Sequence, residues 1–216
     1  MANAETAFGL RPVGLVGSSV NSTGVTEYEI AADNTNAIFQ YSLVTPAAAG
    51  VIDQAGSTSG GTTAALGVLM GIQYHDSVQK KPVWLNYWPG AAGVSVDTNY
   101  PVKAFVADNP HQLFVVAADA TLTNRATALA GVFANVSLGT SARTGVTAVG
   151  RSNSQISVSS IATTATLPLR IVGLVDDVAN NDYGTAGAHF LVRINAHFNA
   201  ATRRFDSQTT ADTTGV

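Results

Sequence analysis

The spacing of its chain breakers most restricts what this sequence can become. Apolar segments such as residues 66–74, 102–108 and 112–117 are short, the first punctuated by Gly67 and Gly71 and the other two separated by Asp108-Asn109-Pro110. None sustains a helical period, and several alternate with a period of two, as a strand with one buried face does. The pattern predicts strands over 25–31, 37–44, 66–74, 83–88, 102–108, 112–117, 132–138, 145–149, 155–158, 169–174 and 189–198. Asp108-Asn109-Pro110 between two of these reads as the turn of a hairpin. Residues 123–130 form the one helix candidate, with Thr123 as cap and Gly131 as stop. Many short strands with one short helix imply an all-β barrel or sandwich.

Around this core the sequence divides further. Residues 1–20 mix single apolar residues with Gly9, Pro12, Gly14 and Gly17, keep no period, and predict an extended N-terminal arm. Residues 21–205 hold the β-rich core, with room for an inserted subdomain near 120–165, and the polar stretch 206–216 predicts a flexible tail. Residues 55–63 are a glycine-serine-threonine loop.

Charge narrows the function. Only 12% of residues are charged, about half the usual share. A surface covered by Ser, Thr, Asn, Gly and Ala loses little on desolvation, so it suits a protein held in an assembly. The net charge of −3 and thinly scattered Lys and Arg argue against direct nucleic-acid binding. The chain has no cysteine, which excludes disulfides and thiolate metal sites. The start lacks a signal-peptide pattern, and no apolar run approaches the roughly 20 residues that span a bilayer. The expectation is a protein made in a cytoplasm, without membrane contact.

Motifs for chemistry are missing: no phosphate loop, no dinucleotide fingerprint, no HExxH and no GxSxG. His75, His111, His189 and His197 show no metal-ligand spacing. Asp176, Asp177, Asn180, Asn181 and Asp182 offer oxygen ligands, but in a spacing that turn formation explains equally well. We therefore expect no enzyme, no metal and no cofactor. Lys80-Lys81 can meet an acidic surface. Trp84 and Trp88, four apart on an expected strand, should share a face, one in the core and one at a subunit interface. Phe105 and Phe114 join them as candidates for an oligomer interface. Trp84, Tyr87, Trp88 and Tyr100 are alternatively a set of rings for stacking on sugars.

Several strings resemble a known group. Thr6-Ala7-Phe8-Gly9-Leu10-Arg11-Pro12-Val13-Gly14 resembles the opening of many small structural proteins of tailed bacteriophages, particularly marine and cyanobacterial phages. So do residues 67–74, 102–116, the string Leu167-Pro168-Leu169-Arg170-Ile171-Val172-Gly173-Leu174, and residues 192–197. Members of that group look like capsid cement or decoration proteins, which are β-rich, commonly trimeric, and sit over the major capsid protein at three-fold or quasi-three-fold points. The resemblance implies a homotrimer on the virion surface that bridges capsomers. It offers no catalytic residue. By position it makes Phe8, Leu10, Arg11 and Val13 part of an arm on the shell, with Lys80 and Lys81 as further contacts. Many such proteins are shorter, hence the expected insertion. Another virion part (tail tube, connector or fibre base) and a carbohydrate-binding surface module are the rival readings.

Overall fold

The computed structural model describes residues 7–17, 24–56, 64–139, 144–164 and 166–200. Within them the chain is mainly β, in three antiparallel sheets with one α-helix, and forms a sandwich with no closed barrel. The expected tail at 206–216, most of the 55–63 loop, and the two ends of the expected arm lie outside the described residues.

The first sheet has five strands in the order β1 (Arg11–Leu15), β8 (Gln112–Ala117), β13 (His189–Ile194), β12 (Leu169–Leu174) and β9 (Asn135–Val136). The second is built as β2 (Thr26–Ile30), β7 (Val102–Ala107), β5 (Gly67–His75), β3 (Leu43–Pro46) and β4 (Ile52–Gln54), with β6 (Pro82–Leu85) also paired to β5. A short ladder joins β10 (Gly145–Val146) to β11 (Arg151–Ser152). The helix α1 (Arg125–Ala130) is capped by Asn124, whose side chain accepts from the Thr127 N–H, and not by Thr123.

Alternation explains the layers. In the five-stranded sheet Phe114, Val116, Phe190, Val192, Ile194, Leu169 and Ile171 point inward and are buried. They meet Leu43 and Val68 from the six-stranded sheet in one core. A second core lies on the other face of the six-stranded sheet, built by Leu69, Ile72, Val102, Ala104, Val106 and Trp88. Val68 and Leu69 serve different cores because neighbouring strand residues point to opposite faces. A bulge between Leu69 and Gly71 then keeps Ile72 on the side of Leu69. The far ends β2 and β4 approach each other without pairing. Asn34 and Asn36, just after β2, donate instead to the two carboxylate oxygens of Asp53 on β4, each at 3.1 Å.

Four expectations need correction. Segments 102–107 and 112–117 are not a hairpin. β7 lies between β2 and β5 while β8 lies between β1 and β13, so the ladder groups of both are already taken in different sheets. The middle of the expected arm is an edge strand of the fold, and Phe8 and Leu10 at its start are fully buried. Among the described residues of 120–165, Leu122, Ala128, Val136, Leu138 and Ile156 enter the core between the sheets and form no separate one. Trp88 lies beyond the end of β6, where it forms an isolated bridge with Ile38, so it does not share a face with Trp84. Among the described residues no helix is long and apolar enough to cross a membrane.

Candidate functional site: an open aromatic face

The face of the six-stranded sheet that bears Val68 passes from core to solvent along β5. At its start, Val68 is buried against the other sheet. Further on the outward positions are Gly71 and Gln73, flanked by Trp84 on β6 and by Lys103 and Phe105 on β7, with Glu27 and Glu29 on β2 beyond. Gly71 pairs with Phe105, and Gln73 pairs with Trp84, so the two rings stand diagonally across the glycine. With no side chain between them they stack, centroids 5.4 Å apart and planes 15° from parallel. Trp84 remains 62% exposed, leaving ring surface toward solvent. The Lys103 ammonium reaches Glu27 at 2.8 Å and borders the pair. The face thus offers a large apolar ring within a polar, nearly neutral rim, the composition of a contact patch.

The other candidates are dispersed. Trp88 is fully buried and donates its indole N–H to the Asn34 carbonyl at 3.1 Å, and Phe114 is core, so neither is available to an oligomer interface. Phe8 and Leu10 cannot touch a shell, because both have no exposed surface. Arg11 lies over the Phe8 ring, 4.6 Å from its centroid, and Val13 is the bulged, half-exposed residue of β1. Lys80 and Lys81 sit instead in the tip between β5 and β6, part of the other sheet. There Lys80 approaches Asp97 at 3.6 Å, and the Asp76 carboxylate accepts the N–H groups of Val78 and Gln79. The proposed sugar-stacking set also separates: Tyr87 stacks on Phe39, Tyr100 on His75, and Trp88 is interior.

Local chemistry is structural where it is unusual. Hydrogen bonds from the Asn99 backbone and side chain hold the Asp97 carboxyl below its ordinary value. Burial, followed by the hydrogen bond to Asp108 at 2.6 Å, raises the Tyr28 phenol. The acidic segment after β12 lines a pocket of about 620 Å³ with Arg125 and Leu129. Asn180 in that segment is a clamp: its amide donates to the Val175 and His189 carbonyls, and its oxygen accepts the His189 N–H. Asp182 accepts the Gly184 N–H, so turn formation accounts for part of the cluster. Among the described residues no three His, Asp or Glu side chains converge as a metal site.

The quoted strings that resemble phage structural proteins fall on β1, β5, β7, β8, β12 and the end of β13, the scaffold of both sheets. They mark a fold more than a contact surface. No known protein family matches the chain, and no curated protein or solved structure is significantly similar to it.

Proposed function

We propose that this chain is a capsid cement or decoration subunit of a tailed-phage particle, without catalytic activity, that binds the outside of the major capsid shell and bridges capsomers. The observation that carries the reading is Trp84: a tryptophan 62% exposed on a sheet face, in a chain poor in charge, is an anchor for another protein surface. We place the contact between copies of a homotrimer there, with Phe105 beside it. A trimer multiplies modest shell contacts through effective concentration, which is what opposing capsomer separation requires. The resemblance of 8–12 and 167–174 to phage structural proteins supports the same reading.

The test is direct. Sedimentation of the purified chain should give an oligomer that Trp84→Ser reduces to monomer without unfolding it. Particles lacking the chain should rupture at lower temperature than particles carrying it. Equal rupture temperatures would remove the cementing role. A second reading, a glycan-binding surface module, is favoured by the same exposed ring beside Gln73, Lys103 and Glu27, since a ring face with polar neighbours suits a pyranose. A polysaccharide pull-down that Trp84→Ser abolishes, with an unaltered chain that stays monomeric, would select it.

A further inference from the structure

The outer face of the five-stranded sheet carries arginine and partly exposed apolar side chains. Alternation that sends Val192 and Ile194 inward sends Leu191 and Arg193 outward on β13, and likewise Arg170 on β12 and Leu113 and Val115 on β8. Leu113, Val115 and Leu191 are each partly exposed. Gly14 pairs with Leu113 and Gly173 pairs with Leu191, and a Cβ built on either glycine would meet nothing within 4 Å. The positions beside Leu113 and Leu191 are therefore unfilled.

Arg170 and Arg193 stand directly opposite each other across β12 and β13. Like charges so placed destabilise a sheet. Arg170 donates its Nε–H to the Asn135 side chain at 3.3 Å, while the Arg193 Nε is buried with no hydrogen-bond partner. Among the described residues neither guanidinium has a carboxylate in ion-pair reach. Two guanidinium groups kept together without counter-charge are a local conflict of the kind found at binding sites.

We propose that this face docks an acidic protein surface, carboxylates meeting Arg170 and Arg193 and apolar side chains covering Leu113, Val115 and Leu191. Resting on the decoration reading, the partner is the capsid shell protein. Guanidinium forks bind carboxylates in bidentate pairs and lose less hydration than lysine does. A nucleic-acid backbone would satisfy the arginines but has nothing apolar for the leucines, and a chain of net charge −3 repels it.

The experiment measures binding of purified unaltered chain, Arg170→Gln and Arg170→Gln/Arg193→Gln to shells assembled without the protein, at low and high salt. The double variant should bind at least about tenfold more weakly at low salt, while its unfolding midpoint stays equal or rises because the like-charge pair is gone. Arg170→Gln alone, at an exposed position, should show part of the loss. Unaltered binding by the double variant, with normal binding by the parent, would overturn this inference and leave the decoration reading standing. No binding by the parent chain would overturn both. Arginine-dependent binding to a DNA duplex in place of the shells would overturn the acidic-protein assignment.

Discussion

Phe8→Ala separates an arm from a strand. A side chain in an arm laid on a shell contributes nothing to the isolated subunit, whereas Phe8 here has no exposed surface, meets the His189 ring edge-on at 5.1 Å and lies under Arg11. Burying a phenylalanine removes roughly 180 Å² from water, which at about 25 cal/mol per Å² gives about 4.5 kcal/mol as an upper bound. Core Phe→Ala changes cost about 3–5 kcal/mol, and whole domains are stable by only about 5–15. With a urea slope of about 2–3 kcal/mol per M, the midpoint should fall by roughly 1.5 M. Trp88 fluorescence reports the transition, since that indole is buried. Val13→Ala is the control: the residue is 40% exposed, and the change should stay within about 0.5 kcal/mol. Deleting residues 1–14 should abolish cooperative unfolding, because it removes most of an edge strand of the main core. A deletion variant with an unchanged midpoint, or equal shifts for Phe8→Ala and Val13→Ala, would refute the reasoning.

Two further outcomes follow from buried polar groups. Asn180→Ala removes both acceptor and donor of the clamp on Val175 and His189, leaving groups unpaired at a 3% exposed position, so the chain should lose about 2–3 kcal/mol in urea unfolding; a loss below about 0.5 kcal/mol would show the loop is held by other means. Burial raises the phenols of Tyr28 and Tyr74 above the ordinary 10.0, so the folded state favours their neutral form; that stability is complete below pH 10.0 and is lost as pH climbs through the raised values. The double change Tyr28→Phe/Tyr74→Phe should flatten the fall of stability measured above pH 10.0, and an unchanged slope would rule the two phenols out as its source.

What the sequence discloses follows where period two or a short apolar run is unbroken. β7 and β13 are read from alternation, β8 and β12 as short apolar runs between turn residues, and the all-β class from the number of such runs. β1 is read from neither, because the bulge at Val13 breaks its period and Gly9 sits at φ +77°, a conformation suited to glycine. A Cβ on Gly9 would fall 2.5 Å from the Tyr41 carbonyl oxygen, so what looks like the looseness of an arm is close packing. The false hairpin has a similar origin: a good turn signal fixes a reversal of direction, but not whether the next strand joins the same sheet. In the aromatic site Trp84 and Trp88 differ only in where β6 ends, which spacing cannot show. The arginine pair is not singled out in the sequence, where Arg170 and Arg193 lie on separate apolar strands. Their direct opposition is not legible there, because register is a property of pairing.

The two proposed faces belong to different sheets and share no residue, and this makes their roles separable. Loss of Trp84 would act on assembly, leaving each subunit its own shell contact but removing the gain from tethering three of them. Loss of the arginines would act on the contact itself, in every copy, whatever the assembly state. Salt distinguishes the two, since a carboxylate–guanidinium contact weakens as ionic strength rises, whereas stacking of an apolar ring does not. Residual shell binding by Trp84→Ser should therefore keep the salt dependence of the parent, while the residual binding of Arg170→Gln/Arg193→Gln should be nearly insensitive to salt. If both residues of binding respond to salt alike, the faces are not independent, and a single surface must carry both contacts.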